Sequence, residues 1–537
     1  MDEETLWYKN AVFYQVYLRA FKDSNGDGHG DLRGLQQQLG YLKDLGVDCI
    51  WLMPIFPSPL KDDGYDIADY RAIADVFGSL DDFKALLATT HSMGMRLVTD
   101  LVLNHTSDAH PWFQAARRDK KSPFRDYYVW SDTDQKYSEA RIIFLDVEPS
   151  NWSWDNEAGQ FYWHRFYTSQ PDLNYDNPRV QDEMLDIARF WLNLGIDGFR
   201  VDAVPYLFER EGTNSENLPE THVYLKRLRR LVDQEFPGRV LLCEANQLPE
   251  EVRSYFGEGD EFHMGFHFPV MPRMYMALKK GRVTDLRAIL ERTPSIPANC
   301  QWCTFLRNHD ELTLEMVTPE ERTWFWERFA PEPRMRLNLG IRRRLTPLLD
   351  NDPRKLKLIH SLLFTLPGSA IIYYGDEIGM GDNIWLADRN GVRTPMQWSP
   401  GRNAGFSTAA PDTLYAPVIA DSEYGPTRVS VEAQRQDPDS IWNAIRHMLE
   451  VRRTHHVFGW GNLEWLGERD GQVAAFVRRW ADHAVIAVHN LADAGEPFEI
   501  AGQDVARDLL TGTVYKARKR TLQIKLEPYQ CLWLQAE

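Results

Sequence analysis

Apolar residues along this chain occur in two patterns, short continuous runs and longer stretches with an apolar residue at every third or fourth position. The stretch LRGLQQQLGYLKDL at 32–45, which ends at Gly46, has the second pattern, and so does the segment 80–93. Further helices are predicted at 180–194 and 442–453. Short apolar runs that alternate with helices are typical of buried parallel strands.

Eight such runs are predicted as strands. They are VFYQVYLRAF at 12–21, DCIWLMP at 48–54, MRLVTDLVLNH at 95–105, GFRVDAV at 198–204, VLLCEAN at 240–246, EFHMGFHF at 261–268, CTFLRNHD at 303–310 and SAIIYYGDE at 369–377. Eight strands in βα order predict an α/β fold with a closed (β/α)8 TIM barrel.

Three segments depart from this alternation. Residues 105–176 are rich in Trp and Tyr and predict a small domain inserted after the third strand. The segment of about 311–353 predicts a helical subdomain after the seventh strand. From 456 to 537 short alternating runs predict a C-terminal antiparallel β-sandwich domain. The catalytic barrel would then comprise 1–104 and 177–455.

Composition narrows the classes of partner. The 537 residues are 43% hydrophobic, enough for a large core, and the formal net charge is −17. This acidity argues against nucleic acid or an anionic membrane surface as the main partner, because phosphate binding depends on clustered Lys and Arg. The run 342–344 of three arginines is interpreted as a solvated helix face or as an intramolecular partner for acidic groups.

Cysteine usage and the first residues indicate the compartment. The five cysteines are too few and too scattered for a disulfide-stapled secreted protein: Cys49, Cys243, Cys300, Cys303 and Cys531. Cys300 and Cys303 form a CxxC, but no second pair or nearby His completes a zinc site, so packing is the preferred interpretation. The segment MDEETLWYKN lacks the basic and apolar regions of a signal peptide. We expect a cytoplasmic protein without a membrane span.

The first strand leads into DSNGDGHGD, which has the spacing of a calcium loop. Asp23, Asn25, Asp27 and Asp31 occupy positions 1, 3, 5 and 9, and the carbonyl of His29 occupies position 7. Position 12 is a glycine, so the loop is not an EF-hand. Alternating oxygen ligands still favour calcium, and a plain polar turn is the alternative.

The strand GFRVDAV carries the first candidate chemistry. Arg200 and Asp202 are two residues apart and face the same side of a strand. The adjacent guanidinium is expected to lower the pKa of Asp202 and keep it ionised. A structural Arg/Asp pair is the alternative for this strand alone.

Four predicted strands end in polar groups: Asn104 and His105, Arg200 and Asp202, Glu244, and His309 and Asp310. Taken singly, each His is a candidate core residue and Glu244 a candidate strand-end ion pair. Three carboxylates at one barrel mouth instead predict retaining glycosidic chemistry, with carboxyl groups about 5–5.5 Å apart. Asp202 would be the nucleophile, Glu244 the acid/base with its pKa raised, and Asp310 the transition-state stabiliser.

The segments DLVLNH, GFRVDAV, LLCEAN and FLRNHD resemble the four strand-end blocks of the α-amylase superfamily, glycoside hydrolase family 13. QPDLN and MQW at 396–398 are similar to its branch of oligo-1,6-glucosidases and α-glucosidases. The segments EANQLPEEVRSYFG, HMGFHFPVMPRMYMAL and LRNHDELTLEMVTPEER resemble the members that interconvert maltose and trehalose.

The resemblance implies roles for further residues. The non-reducing glucose would be held by Tyr65, Asp66, His105, Gln170, Arg200, His309 and Arg393. A second structural calcium would be bound by Asn104, Asp172, Glu209 and the carbonyls of Tyr206 and Leu207. His29 stands where relatives often have an apolar residue, which is harmless if only its carbonyl binds. No organic cofactor is implied.

The expected activity is intramolecular transglucosylation between maltose and trehalose, with minor release of glucose. It requires a closed site, for which the two insertions are the candidate lid. The runner-up is an α-glucosidase or oligo-1,6-glucosidase that hydrolyses small α-glucosides. A non-catalytic relative, such as a transporter subunit, is disfavoured because the carboxylates are present and a membrane span is not. The sequence leaves the oligomeric state open and is compatible with a homo-oligomer, and any phosphorylating partner would be a separate chain.

Overall fold

The computed structural model describes residues 4–536, and a closed barrel of eight parallel strands lies at its centre. In chain order the strands are β1 Val12–Val16, β2 Cys49–Leu52, β3 Arg96–Val102, β4 Gly198–Asp202, β5 Val240–Cys243, β6 Met264–Phe266, β7 Gln301–Phe305 and β8 Ser369–Tyr373. Consecutive strands are neighbours, and β1 pairs with both β2 and β8. The predicted TIM barrel is confirmed. Residues 1–3 and 537, at the ends of the predicted barrel and C-terminal domains, lie outside the described residues.

Helices form most of the connections between the barrel strands and lie on the outside of the barrel. The α-helices are Leu18–Phe21, Leu32–Gln37, Leu39–Leu45, Leu80–Ser92, Pro111–Arg118, Pro178–Leu194, Pro219–Glu235, Pro249–Val252, Val270–Lys280, Thr284–Arg292, Pro319–Phe329, Leu345–Leu348, Pro353–Thr365, Val431–Gln436, Ile441–Thr454 and Val457–Trp460. Their ends carry the usual sequence signals. Ser79 and Asp82 form a capping box, and Gly195 ends the helix before β4 with φ 105°.

Most predicted strands end earlier in the structure, as β7 ends at Phe305 instead of Asp310, and two predicted elements differ in kind or continuity. The run 12–21 forms a strand only as far as Val16, and Leu18–Phe21 is a helical turn. Beyond Val16 no neighbouring strand is paired with β1. The chain turns instead, and the Ala20 N–H donates to Tyr17 O at 3.0 Å. The predicted helix 32–45 is divided at Gln38, whose N–H donates to Leu35 O in a tighter turn.

Two insertions lie at the carboxyl end of the barrel. Between β3 and β4, a three-stranded antiparallel sheet has the order Trp130–Ser131, Gln160–Trp163, Trp152–Asp155. After β7, the predicted helical segment contains the helix Pro319–Phe329 and a two-stranded hairpin, Arg336–Leu337 with Gly340–Ile341. The chain therefore adds structure at the end of the barrel where functional residues of this fold lie.

The C-terminal segment forms two antiparallel sheets around their own core, as the sequence predicts. The strands are Asn462–Leu466, Val473–Trp480, His483–Asn490, Glu496–Ala501, Val505–Asp508, Val514–Lys516, Thr521–Leu526 and Cys531–Ala536. Trp533 joins this domain to the barrel, because it is fully buried in the main core and its indole N–H donates to Ser361 Oγ at 2.8 Å. Within residues 4–536 no helix has the length and apolarity needed to cross a bilayer.

Candidate active site

Arg200 lies at the centre of the candidate site, on the inner face of β4. Its guanidinium donates to Asp100 Oδ1 at 2.8 Å and to Asp202 Oδ1 at 2.5 Å, and it forms an ion pair with Glu244. Asp100 stands opposite Arg200 in the β3–β4 register, and Glu244 directly follows β5. The parallel strands thus bring three carboxylates to one fully buried cation. Sequence reasoning missed Asp100, because it lies within a strand instead of at its end.

Burial sets the charge of the two carboxylates at the strand ends. Removal from water raises the pKa of Asp202 to about 6 and the pKa of Glu244 to about 8, against the opposing effect of Arg200. Arg200 does lower the pKa of Asp202, as predicted, but desolvation of the carboxylate outweighs the adjacent charge, so the expected net decrease is wrong. At neutral pH Asp202 is still mainly ionised and Glu244 mainly protonated. The pair therefore consists of an anion and an acid.

Asp310 is a carboxylate of a different kind, held as an anion. Burial raises its pKa, but His309, Arg389 and Arg393 outweigh that effect and keep the pKa well below its ordinary value. Arg389 Nη1 donates to Asp310 Oδ1 at 2.7 Å, and Arg393 Nη2 donates to the same oxygen at 3.1 Å. Asp310 can therefore accept hydrogen bonds from ligand hydroxyls at any physiological pH.

Two neutral histidines complete the polar groups. Burial lowers the pKa of His105 to about 3 and the pKa of His309 to about 4. The Tyr65 ring stacks on His309 with centroids 5.2 Å apart and planes 12° apart, and Gln15 Nε2 lies 2.6 Å from His309 Nδ1. His105 Nε2 is a buried atom without a protein partner. His105 therefore has a ring nitrogen for an uncharged polar ligand, whereas His309 is already bonded to Gln15 and, through Nε2 at 3.0 Å, to Asp310.

These side chains surround one cavity at the carboxyl ends of the strands. Its volume of about 130 Å³ has room for roughly ten waters, which suits a small ligand. The wall consists of Asp62, Tyr65, His105, Ile143, Phe144, Phe166, Asp202, Ala203, Pro205, Tyr206, Glu244, Asn246, Phe268, Asn308, His309, Asp310, Glu311, Thr313, Glu315 and Arg389. The three predicted catalytic carboxylates all belong to it, together with three of the predicted sugar-binding residues, Tyr65, His105 and His309.

The other predicted sugar-binding residues lie behind this wall. Asp66 accepts hydrogen bonds from Ser58 Oγ at 2.8 Å, from the Lys61 N–H at 3.0 Å and from the Asp62 N–H at 3.1 Å. Its oxygens therefore hold the shape of their own loop, and the predicted contact of Asp66 with a sugar does not fit this geometry. Arg200, described above, also supports the wall from behind.

Asp62 and Arg389 occupy the positions expected of Asp66 and Arg393. Arg389 Nη2 donates to Asp62 Oδ1 at 2.5 Å, while Gln170 Nε2 donates to Asp62 Oδ2 at 2.9 Å. Gln170 and Arg393 thus orient wall residues from behind. Sequence reasoning missed Asp62 and Arg389, since each has a like-charged neighbour within four residues and loop spacing does not show which one faces inward.

Arg141 joins the two insertions above the cavity. Its guanidinium donates from Nη1 to Glu315 Oε2 at 2.6 Å, from Nε to Glu216 Oε1 at 2.8 Å and from Nη2 to Tyr206 Oη at 3.2 Å. Glu315 and Tyr206 are cavity residues. One side chain of the β3–β4 insertion therefore connects to the segment after β7 and to the wall.

A second connection crosses the same gap. The Asn338 N–H donates to Asp146 Oδ2 at 2.7 Å, and Asn338 Nδ2 donates to Glu311 Oε1 at 3.1 Å. Asn338 belongs to the hairpin after β7, and Asp146 to the other insertion. Together with Arg141, these contacts form a roof over the cavity, which we call the roof contacts.

The predicted calcium loop 23–31 is a tight turn against the segment 405–415. Asp23 accepts hydrogen bonds from three backbone N–H groups of the loop and from Ser407 Oγ. Asp31 accepts from the Gly34 N–H at 2.7 Å and caps the following helix, and the Asn25 and Asp27 side chains accept from loop N–H groups. None of these side-chain oxygens is a buried atom without a partner.

The second predicted cation site differs in this respect. Asn104 Oδ1, Asp172 Oδ2 and Glu209 Oε1 are all buried oxygens without a hydrogen-bond donor. Desolvation raises the pKa of Asp172 to about 8 and that of Glu209 well above its ordinary value, and the charge of Asp172 raises the pKa of Glu209 further. Orphaned oxygens of this kind fit a hard cation such as calcium.

The second predicted cation site has only two acidic side chains, those of Asp172 and Glu209. Within residues 4–536, no three His, Cys, Asp or Glu side chains are placed to hold a metal ion. A cation would therefore use the two carboxylates together with amide and carbonyl oxygens, a ligand set that calcium accepts.

Comparisons with known proteins identify relatives of the whole chain. A profile of the family described as Alpha amylase, catalytic domain, matches residues 15–328 and 341–461. The trehalose synthase/amylase TreS of Mycobacterium tuberculosis is 58% identical over 507 residues, which cover 93% of this chain and 84% of that protein. The trehalose synthase of Pimelobacter sp. (strain R48) is 55% identical over 513 residues, which cover 93% of this chain and 90% of that protein.

Solved structures with the same architecture are less similar in sequence. The trehalulose synthase MutB from Pseudomonas mesoacidophila MX-45 matches with a TM-score of 0.80 at 27% identity, covering 99% of each chain. The α-glucosyl transfer enzyme XgtA matches with a TM-score of 0.82 at 29% identity, again covering 99% of each chain.

Proposed function

The chain belongs to the α-amylase family, and from this premise we propose that it interconverts maltose and α,α-trehalose by intramolecular glucosyl transfer. The observation that carries the proposal is the convergence of Asp202, Glu244 and Asp310 on one small cavity. Relatives that are 51–58% identical are named trehalose synthases, whereas those named oligo-1,6-glucosidase or α-glucosidase are 29–32% identical.

The charge states support a double displacement. Asp202 attacks the anomeric carbon of the non-reducing glucose while Glu244 donates its proton to the glycosidic oxygen. The products of this first step are a covalent glucosyl ester on Asp202, a free glucose and an ionised Glu244. Glu244 then takes the proton of the incoming hydroxyl, whose oxygen displaces Asp202, so the configuration is retained and both side chains return to their starting forms.

Asp310 and the histidines act by position and charge. Asp310, kept anionic by its two arginines, accepts hydrogen bonds from glucose hydroxyls and stabilises the positive charge that develops on the ring. His105 is a neutral partner for a further hydroxyl, His309 lines the cavity and orients Asp310, and Tyr65 offers a ring face to the sugar. Asp62 and Arg389 bound the same end of the cavity.

Isomerisation differs from hydrolysis only in the acceptor. For trehalose to form, the released glucose must stay in the cavity and present its own anomeric hydroxyl to the glucosyl ester. A well-oriented acceptor has an effective molarity of about 10⁵–10⁸ M, far above that of bulk water. The roof contacts support this retention, because they connect the two insertions above the cavity.

Two further proposals concern the cation and the compartment. Calcium bound by Asn104, Asp172 and Glu209, with the carbonyls of Tyr206 and Leu207, would neutralise buried carboxylates and secure the insertion to the barrel. A second calcium at 23–31 rests on its ligand spacing alone. A cytoplasmic location is supported by the cysteines, all of which are free thiols.

The test is a sugar analysis of purified protein incubated with maltose. We expect trehalose as the main product with a minor amount of glucose, and the reverse conversion from trehalose. Production of two glucose molecules per maltose without trehalose would refute the isomerase and establish an α-glucosidase. The same incubation with Asp202→Asn should yield neither product.

A further inference from the structure

Trp385 is a large aromatic side chain that the fold leaves in solvent close to the cavity. It is 73% exposed, on the loop between β8 and the segment that carries Arg389. We propose that Trp385 is the platform of an outer carbohydrate-binding site for α-linked glucose oligomers, separate from the cavity that holds the disaccharide. This deepens the proposed function, since it names a longer form of the same class of sugar.

The loop that carries Trp385 is held rigidly. Arg342 Nη1 donates to Leu386 O and Asp388 O, each at 2.6 Å, and its Nη2 donates to Ile384 O at 3.4 Å. These carbonyls lie on both sides of Trp385. An exposed indole on a loop fixed by one guanidinium loses little conformational freedom when a ligand binds, which is a property of preformed binding sites.

The surroundings of the indole are those of a sugar site. The Arg334 guanidinium lies 3.9 Å from the centre of the Trp385 ring and covers one face, so the other face remains open. Arg334 also pairs with Glu332, at 3.3 Å, which places a hydrogen-bond donor and an acceptor beside the ring. A flat apolar face flanked by polar groups suits a pyranose, whose C–H faces are apolar and whose edge carries hydroxyls.

The neighbouring charges argue against a protein partner. Asp and Glu are depleted at protein interfaces, whereas Trp385 lies beside the ion pair of Arg334 with Glu332 and is followed closely by Asp388. A single indole among charged groups is also far smaller than the area that a stable protein interface buries.

The position links the platform to the cavity mouth. Trp385 precedes Arg389 by four residues, so their Cα atoms are at most about 14 Å apart. Arg389 donates to Asp62 and Asp310 in the cavity wall. Asp388 accepts a hydrogen bond from Tyr167 Oη at 3.3 Å, which joins the loop to the β3–β4 insertion. A bound oligomer would thus lie at the rim of the roof.

Binding is tested by affinity electrophoresis in gels containing glycogen and by titration with maltoheptaose. Every protein carries Asp202→Asn to prevent turnover, and saturating trehalose fills the cavity. The protein with Trp385 intact should be retarded by glycogen. Trp385→Ala should weaken maltoheptaose binding at least tenfold, and Trp385→Phe should retain part of it. Trp154→Ala is the matched control, because Trp154 is also exposed, at 51%, on the β3–β4 insertion.

The outcomes separate this inference from the proposed function. With Asp202 restored, Trp385→Ala should convert maltose to trehalose at the unaltered rate. Absence of retardation in the protein with Trp385 intact, or an equal loss with Trp154→Ala, would overturn the outer site. Failure to form trehalose from maltose would overturn the proposed function and leave the binding result unaffected.

Discussion

At the scale of single residues, the charge balance around Arg200 determines the chemistry. One largely buried guanidinium contacts three carboxyl groups, those of Asp100, Asp202 and Glu244. Three buried negative charges around one positive charge are unfavourable, so a proton on one of them lowers the free energy of the folded site. Glu244 is the group with the highest pKa of the three, and it is the acid that the reaction needs.

The first prediction is a bell-shaped pH dependence of kcat/KM for maltose. Activity should rise as Asp202 loses its proton near pH 6 and fall as Glu244 loses its proton near pH 8, with a maximum at about pH 7. Because the two groups share Arg200, the measured values belong to the pair. Initial rates between pH 4.5 and 9.5 give the profile.

Glu244→Gln is the control for that assignment. It should lower kcat by about 10²–10⁴-fold and abolish the decline at high pH, since the amide cannot lose a proton in this range. A variant that kept the alkaline limb would show that another group carries the acid function.

The second prediction separates two neighbouring aspartates. Asp62→Asn should lower kcat/KM by about 10- to 150-fold, from the loss of about 1.5–3 kcal/mol of charged hydrogen bonding at the cavity wall. Asp66→Asn should mainly lower the melting temperature, because its oxygens bond only to their own loop. Steady-state kinetics and thermal melts of both variants test this. A larger kinetic loss for Asp66→Asn would reverse the roles.

Asp62 and Asp66 also show which features of single residues the sequence could not predict. Asp202, Glu244 and Asp310 follow barrel strands, so their convergence follows from the fold. Asp62, Asp63 and Asp66 lie in a loop without helical or strand periodicity, and spacing cannot indicate which carboxylate faces the cavity. The raised pKa of Asp202 was also beyond reach, because the extent of burial is a property of the folded protein.

At the scale of elements, we expect the roof contacts to influence whether glucose or water receives the glucosyl group. Arg141 is a single side chain with three partners on other elements, and Asn338 adds a second link. Water enters most easily where such links are broken. The roof should therefore affect the ratio of products more than the cleavage of maltose.

The third prediction concerns the ratio of trehalose to glucose that is formed from maltose. Arg141→Ala should raise the fraction of maltose converted to glucose severalfold and lower trehalose formation, while cleavage continues. Arg189→Ala is the control, because Arg189 also pairs with two carboxylates but lies on the outer helix Pro178–Leu194. Product chromatography over the first turnovers distinguishes the two. An unchanged product ratio in Arg141→Ala would contradict a role of this contact in retention.

The fourth prediction tests the calcium that we propose between the insertion and the barrel. Chelation with EDTA should lower the melting temperature, and calcium at about 100 times its dissociation constant should restore about 2.7 kcal/mol of stability. In the double variant Asp172→Asn, Glu209→Gln the chelator should have a much smaller effect, since the ligand charges are gone. If the double variant responds to EDTA as strongly as the parent, the cation binds elsewhere.

The presence of a helix or strand was predicted more accurately than the residues at which it begins and ends. The helices that begin at Leu80 and Ile441 follow strong periodic patterns and capping residues, and they lie within two residues of the predicted bounds. The run 12–21 was extended too far, because a short apolar run does not distinguish a buried strand from a buried helical turn. In the C-terminal domain the sequence predicts the runs QVAAFVRRW, HAVIAVHN, GEPFEI, TLQIKL and YQCLWL as strands. It misses the short strands Asn462–Leu466, Val505–Asp508 and Val514–Lys516.

At the scale of the whole molecule, the C-terminal domain is part of the barrel's stability. Trp533 reaches from the last strand into the main core, where it contacts Phe458, and it donates to Ser361 on a barrel helix. Arg478 is fully buried at the same junction and donates to main-chain carbonyls of both domains. The domain is therefore packed against the barrel as a fixed unit.

The fifth prediction tests this coupling. Trp533→Ala should reduce the free energy of unfolding by about 3–5 kcal/mol, the usual cost of removing a buried large aromatic side chain. Equilibrium urea unfolding, followed by both fluorescence and trehalose-forming activity, should show both signals shifting together. Trp154→Ala removes an exposed indole and should change stability little. Separate transitions for activity and fluorescence would show that the two domains unfold independently.

The overall architecture could be predicted because it depends on the order of elements alone. Eight strands in βα alternation predict a barrel, and alternating short strands after residue 456 predict a separate β-domain, and both are present. How the insertions meet above the cavity could not be predicted, because the contacts of Arg141 and Asn338 join residues that are 174 and 192 positions distant in sequence.

Closure of the barrel also has a consequence for synthesis on the ribosome. β1 hydrogen-bonds along one edge to β8, in the register Val12 with Ala370 and Gln15 with Tyr373. At roughly 5–20 residues per second, the intervening stretch of about 360 residues takes roughly 20–70 seconds to translate. Throughout that time the nascent β1 has one edge and its apolar face unprotected, so a cell that makes this protein must keep early chains from aggregating until β8 emerges.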